Sequence, residues 1–214
     1  MSDRTKKITT LAMLSARAFV VVAVVRIPVV LFLKYEPKDV IITIGGFLFG
    51  PLASVIVSAV VSLVEMVTIS ETGLYGLVMN IIGSVSFAAV ASLIYQKKRS
   101  IGGAVLGLLA GIAAMVPVML LWNYIVTPIY MGYPREAVAK MLVPVFLPFN
   151  LLKGGLNATL TMLIYKPVVT ALRKAGLVPQ RESTQGGINI GVIVVSGIVL
   201  VGLIFILLII NGVI

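Results

Sequence analysis

Residues 101–126 read IGGAVLGLLAGIAAMVPVMLLWNYIV, with no charge from end to end. A helix that crosses the hydrocarbon core of a bilayer needs about 20 apolar residues, and this stretch has them with room to spare. Its surroundings have the same character. Over 214 residues, 60% are hydrophobic and 11% charged, and mean hydropathy is +1.15, against roughly 25% charged residues in soluble domains. No soluble core absorbs that excess, so the chain reads as all-α, a polytopic membrane helix bundle.

Working outward, apolar runs recur at 8–33, 40–49, 51–68, 74–95, 149–172 and 188–210. The run 40–49 is too short to cross a bilayer as a straight helix, so it is expected to be tilted or packed inside the bundle. Gly50-Pro51 marks the turn after it. Arg4, Lys6 and Lys7 before the first run resemble a signal peptide, but Arg17 interrupts that run and no cleavage site follows, which predicts an uncleaved span. The segment 133–140 reads as a short interfacial helix with Pro134 in its first turn, and Pro144 and Pro148 punctuate the entry to 149–172. The expected organisation is a six-helix membrane domain over 1–174, a cytoplasmic linker over 175–187 and an additional transmembrane helix within 188–214.

The formal net charge is +10, with 17 Lys and Arg against 7 acids. Nucleic acid is a poor explanation, because the charges lie where the positive-inside rule puts them. With the N-terminus in the cytoplasm, Arg4, Lys6, Lys7, Lys97, Lys98, Arg99, Lys166, Arg173, Lys174 and Arg181 all fall on the inner side, while the outer loops hold mixed charges, including Glu36, Asp39, Glu71 and Glu136. That predicts a multi-pass protein of a prokaryotic inner membrane. Cysteine and histidine are both absent, which excludes the usual zinc sites, Ser-His triads and Cys-His pairs. No GxxxxGK[ST] loop occurs, so an ATP-driven step needs another subunit. These absences argue against an enzyme.

Polar residues inside the spans carry the functional signal, because a helix rises about 1.5 Å per residue and depth can be counted. Asn80 lies six residues inside the outer end of its span, and Asn123 three. Asn150 and Lys153 enter the next span at a similar depth, with Asn157 one turn deeper on the same face at i, i+3, i+7. A lysine in lipid costs a few kcal/mol at least, so Lys153 should meet a cavity or a partner. Helix gluing by the amides and snorkelling by Lys153 are the alternatives; convergence at one depth favours a site. Asn both donates and accepts, which suits a neutral ligand with amide, imide or hydroxyl groups. Tyr35, Met79, Trp122, Tyr124 and Tyr130 can wall a flat ring, or form an interfacial belt. Glu65 is the one acid expected within a span, too few for an ion relay. Ala12 and Ala16, with Ala23 continuing their face, form a small surface that lets another helix approach closely, or that packs within the bundle.

Tyr35-Glu36-Pro37-Lys38-Asp39-Val40, Ile44-Gly45-Gly46-Phe47-Leu48-Phe49-Gly50-Pro51, Trp122-Asn123-Tyr124, Thr127-Pro128-Ile129-Tyr130 and Phe149-Asn150-Leu151-Leu152-Lys153-Gly154 together resemble the riboflavin-specific substrate-binding subunit, or S component, of energy-coupling-factor vitamin transporters. The resemblance covers about residues 11–174. It implies a six-helix bundle that captures riboflavin from outside, with the first loop closing over the pocket. It also implies a transmembrane coupling subunit docked on Ala12 and Ala16, and two ATPases that drive release inward. Asn123, Asn150 and Lys153 become ligand contacts. No cofactor is implied: riboflavin, or its phosphate FMN, is cargo. The run 188–210 departs from the six-span pattern. A self-sufficient ion-coupled porter and an S component for another vitamin remain the competing readings.

Overall fold

The computed structural model describes residues 2–177 and 190–210. Helix α1, Asp3–Val24, starts at Ser2, whose side chain accepts from the Thr5 amide. The expected first span ran on to residue 33; instead the helix stops at Val24. Pro28 accounts for this, since it cannot donate to a helix and it biases the residue before it towards extended backbone. The chain then turns back on itself in a hairpin of β1, Ile27–Val30, and β2, Leu33–Tyr35, antiparallel with Ile27 opposite Tyr35. Its tip holds Leu31 at φ 52°.

Helix α2, Lys38–Phe49, is the short apolar run, and it is packed inside the bundle as expected. It contacts α1 as well as three helices that follow it: α3, Pro51–Thr68; α4, Gly73–Lys97; and α7, Leu147–Lys174. Gly50, at φ 97°, makes the reversal into Pro51. Helix α5, Ile101–Met131, pairs along α4. The pairing is close because Gly107 and Gly111 face backbone: a Cβ at either would stand 2.6 Å from the carbonyl oxygen of Ala91 or Phe87.

After Gly132 comes α6, Arg135–Met141, the short helix expected behind Pro134. A π-helical turn, Leu142–Phe146, follows and contains Pro144. It runs directly into α7. Helix α8, Ile190–Ile210, lies along α7. Leu203 packs on Gly155, and Leu207, 8% exposed, joins a cluster with Val29, Leu33, Phe146 and Leu156. The remainder of α8 is largely exposed and apolar.

Six helices among the described residues are long and apolar enough to cross a membrane, α8 included, and α2 is not one of them. The expected linker falls mainly on 178–189, outside the described residues, as do 211–214. The helix directions bring Lys6, Lys97, Arg173 and Lys174 to one end, where the Thr10 hydroxyl donates to the Leu177 carbonyl at 3.3 Å. The hairpin and the α3–α4 turn lie at the other end.

Candidate functional site

At the hairpin end the helices splay around a cavity with about 1040 Å³ of empty space, the open solvent at its mouth included. Its walls come from the hairpin and the loop after it (Phe32, Leu33, Lys34, Glu36), the α3–α4 turn, α4 (Met79, Asn80), α5 (Met119, Trp122, Asn123) and α7 (Phe149, Asn150, Lys153). Four of the six expected binding residues therefore line one cavity: Asn80, Asn123, Asn150 and Lys153. The depth argument placed them at one level, and the bundle turns them inward.

The amides are already oriented. Asn123 Nδ2 donates to the Met119 carbonyl at 2.7 Å, and its Oδ1 accepts from Thr127 at 3.0 Å. Asn150 Nδ2 donates to the Phe146 carbonyl at 2.7 Å. Asn80 Nδ2 donates to Glu65 Oε2 at 2.9 Å. In each case that bond uses one of two amide protons, which leaves a second N–H on each of these cavity-lining residues, and on Asn80 and Asn150 the carbonyl oxygen too, for a further partner. Trp122, Tyr130 and Met79 supply apolar wall as expected. Tyr124 does not line the cavity: Arg135 sits 5.6 Å from its ring centroid.

Two expected contacts lie elsewhere. Tyr35 is 4% exposed and Asn157 fully buried, and neither lines the cavity. The Tyr35 hydroxyl donates to Asn157 Oδ1 at 3.1 Å, and Asn157 Nδ2 donates to Asp39 Oδ2 at 3.2 Å. Asp39 Oδ2 lies 3.5 Å from Lys153 Nζ, and Asp39 Oδ1 accepts from Ser84. They stand behind the lysine rather than beside it. Burial, then the Asp39 charge, push the Tyr35 phenol up, so it stays a neutral donor.

A second set of charges flanks the first. Lys38, fully buried, places Nζ 2.6 and 2.8 Å from the two oxygens of Glu65 and 2.9 Å from Glu36. Arg26 Nε pairs with Glu36 at 3.1 Å, in ion-pair rather than hydrogen-bond geometry, and its Nη1 donates to the Ile69 carbonyl. Burial alone would raise Glu36, but Lys38, Lys153 and Arg26 hold it below the usual carboxylate range. Three cations and three carboxylates thus balance at the cavity, with Arg26, Glu36 and Lys153 on its wall and Lys38, Asp39 and Glu65 behind it.

Sequence reasoning missed Lys38 and Asp39 because it assigned 34–39 to a polar loop, and it took Glu65 as the one acid in the interior. The signal was available: a run too short to span, if packed inside, draws its N-terminal charges in with it, and buried charges must then find partners. Lys34 pairs with Glu71 at 3.0 Å across the cavity mouth, joining hairpin to α3–α4 turn. Ala12, Ala16 and Ala23 are exposed along α1 and do not line the cavity. Among the described residues nothing packs over them.

The family described as "ECF transporter, substrate-specific component" matches residues 6–165. The riboflavin transporter RibU of Staphylococcus aureus is 29% identical over 181 residues, covering 80% of this chain and 95% of the relative. The riboflavin transporter FmnP of Bacillus subtilis is 29% identical over 187 residues, covering 80% and 98%. A solved structure, reported as "Structure and mechanism of the S component of a bacterial ECF transporter", superposes with a TM-score of 0.67 at 29% identity, covering 79% of this chain and 99% of that one. Matches of this extent leave about a fifth of the chain outside, and the family match ends before α8. It is a transport component rather than an enzyme, and a multi-pass membrane protein of a bacterial transporter family. The chain belongs to the substrate-specific components of ECF transporters.

Proposed function

We propose that the protein is the high-affinity riboflavin-binding subunit of an ATP-driven ECF importer, capturing the vitamin at the hairpin end and passing it to a coupling subunit. One observation carries the reading: Asn80, Asn123, Asn150 and Lys153, from three helices, meet in one cavity walled by Trp122 and Met79. Riboflavin presents a flat ring edged by imide and carbonyl groups, and a chain of hydroxyls. Amides held with one N–H spare suit the first, and the ammonium, which donates but does not accept, suits its electron-rich oxygens. The names of the two relatives support the same ligand.

The hairpin end faces outward in this reading and the basic end faces the cytoplasm, as the positive-inside rule requires. Ala12 and Ala16, exposed on α1, form the docking face for the transmembrane coupling subunit, with two ATPases beyond it. The test is assembly. Ala12→Trp or Ala16→Trp keeps riboflavin binding in the purified subunit and blocks co-purification with the coupling module, because bulk prevents close helix approach. Lost ligand binding with assembly intact would place that face in the wrong interface.

A further inference from the structure

The chain of contacts behind Lys153 has a direction. The carboxylate of Asp39 only accepts, so Asn157 must turn Nδ2 towards it and Oδ1 away. That leaves Oδ1 to receive the Tyr35 hydroxyl, at 3.1 Å. Phenol, amide, carboxylate and ammonium therefore form one sequence of contacts in which donation runs from Tyr35 through Asn157 to Asp39 and meets there the Lys153 ammonium, itself a donor, and such networks polarise their members in a low-dielectric interior. The sequence starts on the strand β2 and ends on a cavity-lining side chain. Its three inner members, Tyr35, Asn157 and Asp39, are 4% exposed or less, whereas Lys153 alone reaches the wall. Neighbours of Tyr35 on the hairpin, Leu33 and Lys34, line the cavity themselves.

We infer that Tyr35, Asn157 and Asp39 are positioning residues that tie the hairpin to the Lys153 ammonium, so that placing the hairpin over the cavity and aiming the lysine at the ligand are one event. The inference rests on the riboflavin reading for its ligand, but the link itself belongs to this chain. Displacing the hairpin takes the phenol from Asn157, frees that amide to rotate, and leaves Asp39 with one fewer donor competing for it. Asp39 then draws Lys153 back. With the hairpin seated, Asn157 and Ser84 share the carboxylate and the ammonium stays at the wall.

The test is a double-mutant cycle on Tyr35→Phe and Lys153→Met, each of which keeps shape while removing one polar end. Hydrogen exchange of the backbone amides of 27–35 is read in ligand-free protein, and riboflavin dissociation by stopped-flow fluorescence. Tyr35→Phe should speed hairpin exchange and riboflavin release by about tenfold, the effect of losing one buried hydrogen bond. In the Lys153→Met background the same change should alter either rate by less than about threefold. Equal effects in both backgrounds would mean that Tyr35 merely supports the hairpin, and would overturn the link. If parent protein fails to bind riboflavin, the ligand assignment falls, and the ligand-free exchange cycle still decides the link. Asp39→Asn, which keeps the size but removes the charge, should mimic Lys153→Met in its hairpin exchange. A parent-like exchange rate would equally overturn it.

Discussion

Lys38 is tightly constrained, because its ammonium is sealed from solvent and held by two carboxylates. Removing one member of a buried pair typically costs about 3–5 kcal/mol, whereas replacing the pair by apolar residues is often neutral. Lys38→Met should therefore unfold or strongly destabilise the bundle, and Lys38→Met with Glu65→Leu should regain much of the lost thermal stability. A double variant no more stable than the single, in a detergent melting experiment, would show that the pair is not the source. Lys153 contrasts with it, since it stands at the cavity wall with Asp39 behind. Lys153→Met should leave the fold intact and weaken riboflavin by about ten- to a hundredfold, the loss of a charge-assisted bond worth about 1.5–3 kcal/mol. Glu36 sets the pH response. Because its folded value is lowered, its contribution is complete at neutral pH and is lost only as pH falls below about 4.5 towards that folded value. Melting temperature should thus be flat from pH 8 to about 5.5 as far as Glu36 governs it; a decline already at pH 6.5 would contradict that.

Elements carry these side chains to their places, and the α4–α5 pair does so most tightly. Asn80 sits on one and Asn123 on the other, and the spacing is set lower down by Gly107 and Gly111 against carbonyl oxygens. Gly111→Val should cost about 1–3 kcal/mol through overpacking and lower riboflavin affinity by moving the two amides apart. Unchanged melting and affinity would mean the helices have slack that the geometry denies. Spans over 51–68, 74–95 and 149–172 were legible because long apolar runs with at most two charges leave few alternatives. Their inner polar residues were legible because depth along a helix can be counted. The hairpin was not, because Val29, Val30, Leu31, Phe32 and Leu33 are as apolar as a span and only Pro28 signals the break. The buried N-terminal end of α2 was missed for the related reason that charge usually means surface, and Glu65, Lys153 and Asn157, which hold Lys38 and Asp39 besides nearby Glu36, are far away in sequence.

At the scale of the whole molecule, a bundle with a charge-balanced, amide-lined cavity and a basic opposite end is joined by one helix that the family match does not reach. The sequence of residues 187–214 brings no polar residue to the depth of the site, which predicts that their deletion leaves riboflavin binding nearly unchanged. The structure adds a contact: Leu203 and Leu207 pack on α7 and on the cluster that holds Val29 of the hairpin. Deletion should accordingly leave affinity within about tenfold while lowering melting temperature, since burial of a leucine side chain is worth about 1.5–3 kcal/mol in water and less in lipid. A loss of all binding in a monodisperse truncated protein would make α8 part of the site. The central claim, that this cavity takes riboflavin without help from ATP or partner subunits, is tested most directly by titrating the purified full chain with riboflavin and following flavin fluorescence, with thiamine and biotin as controls. Saturable quenching by riboflavin at one site per chain, abolished by neither control vitamin, is the predicted result; tight binding of thiamine or biotin with no quenching of riboflavin would contradict it.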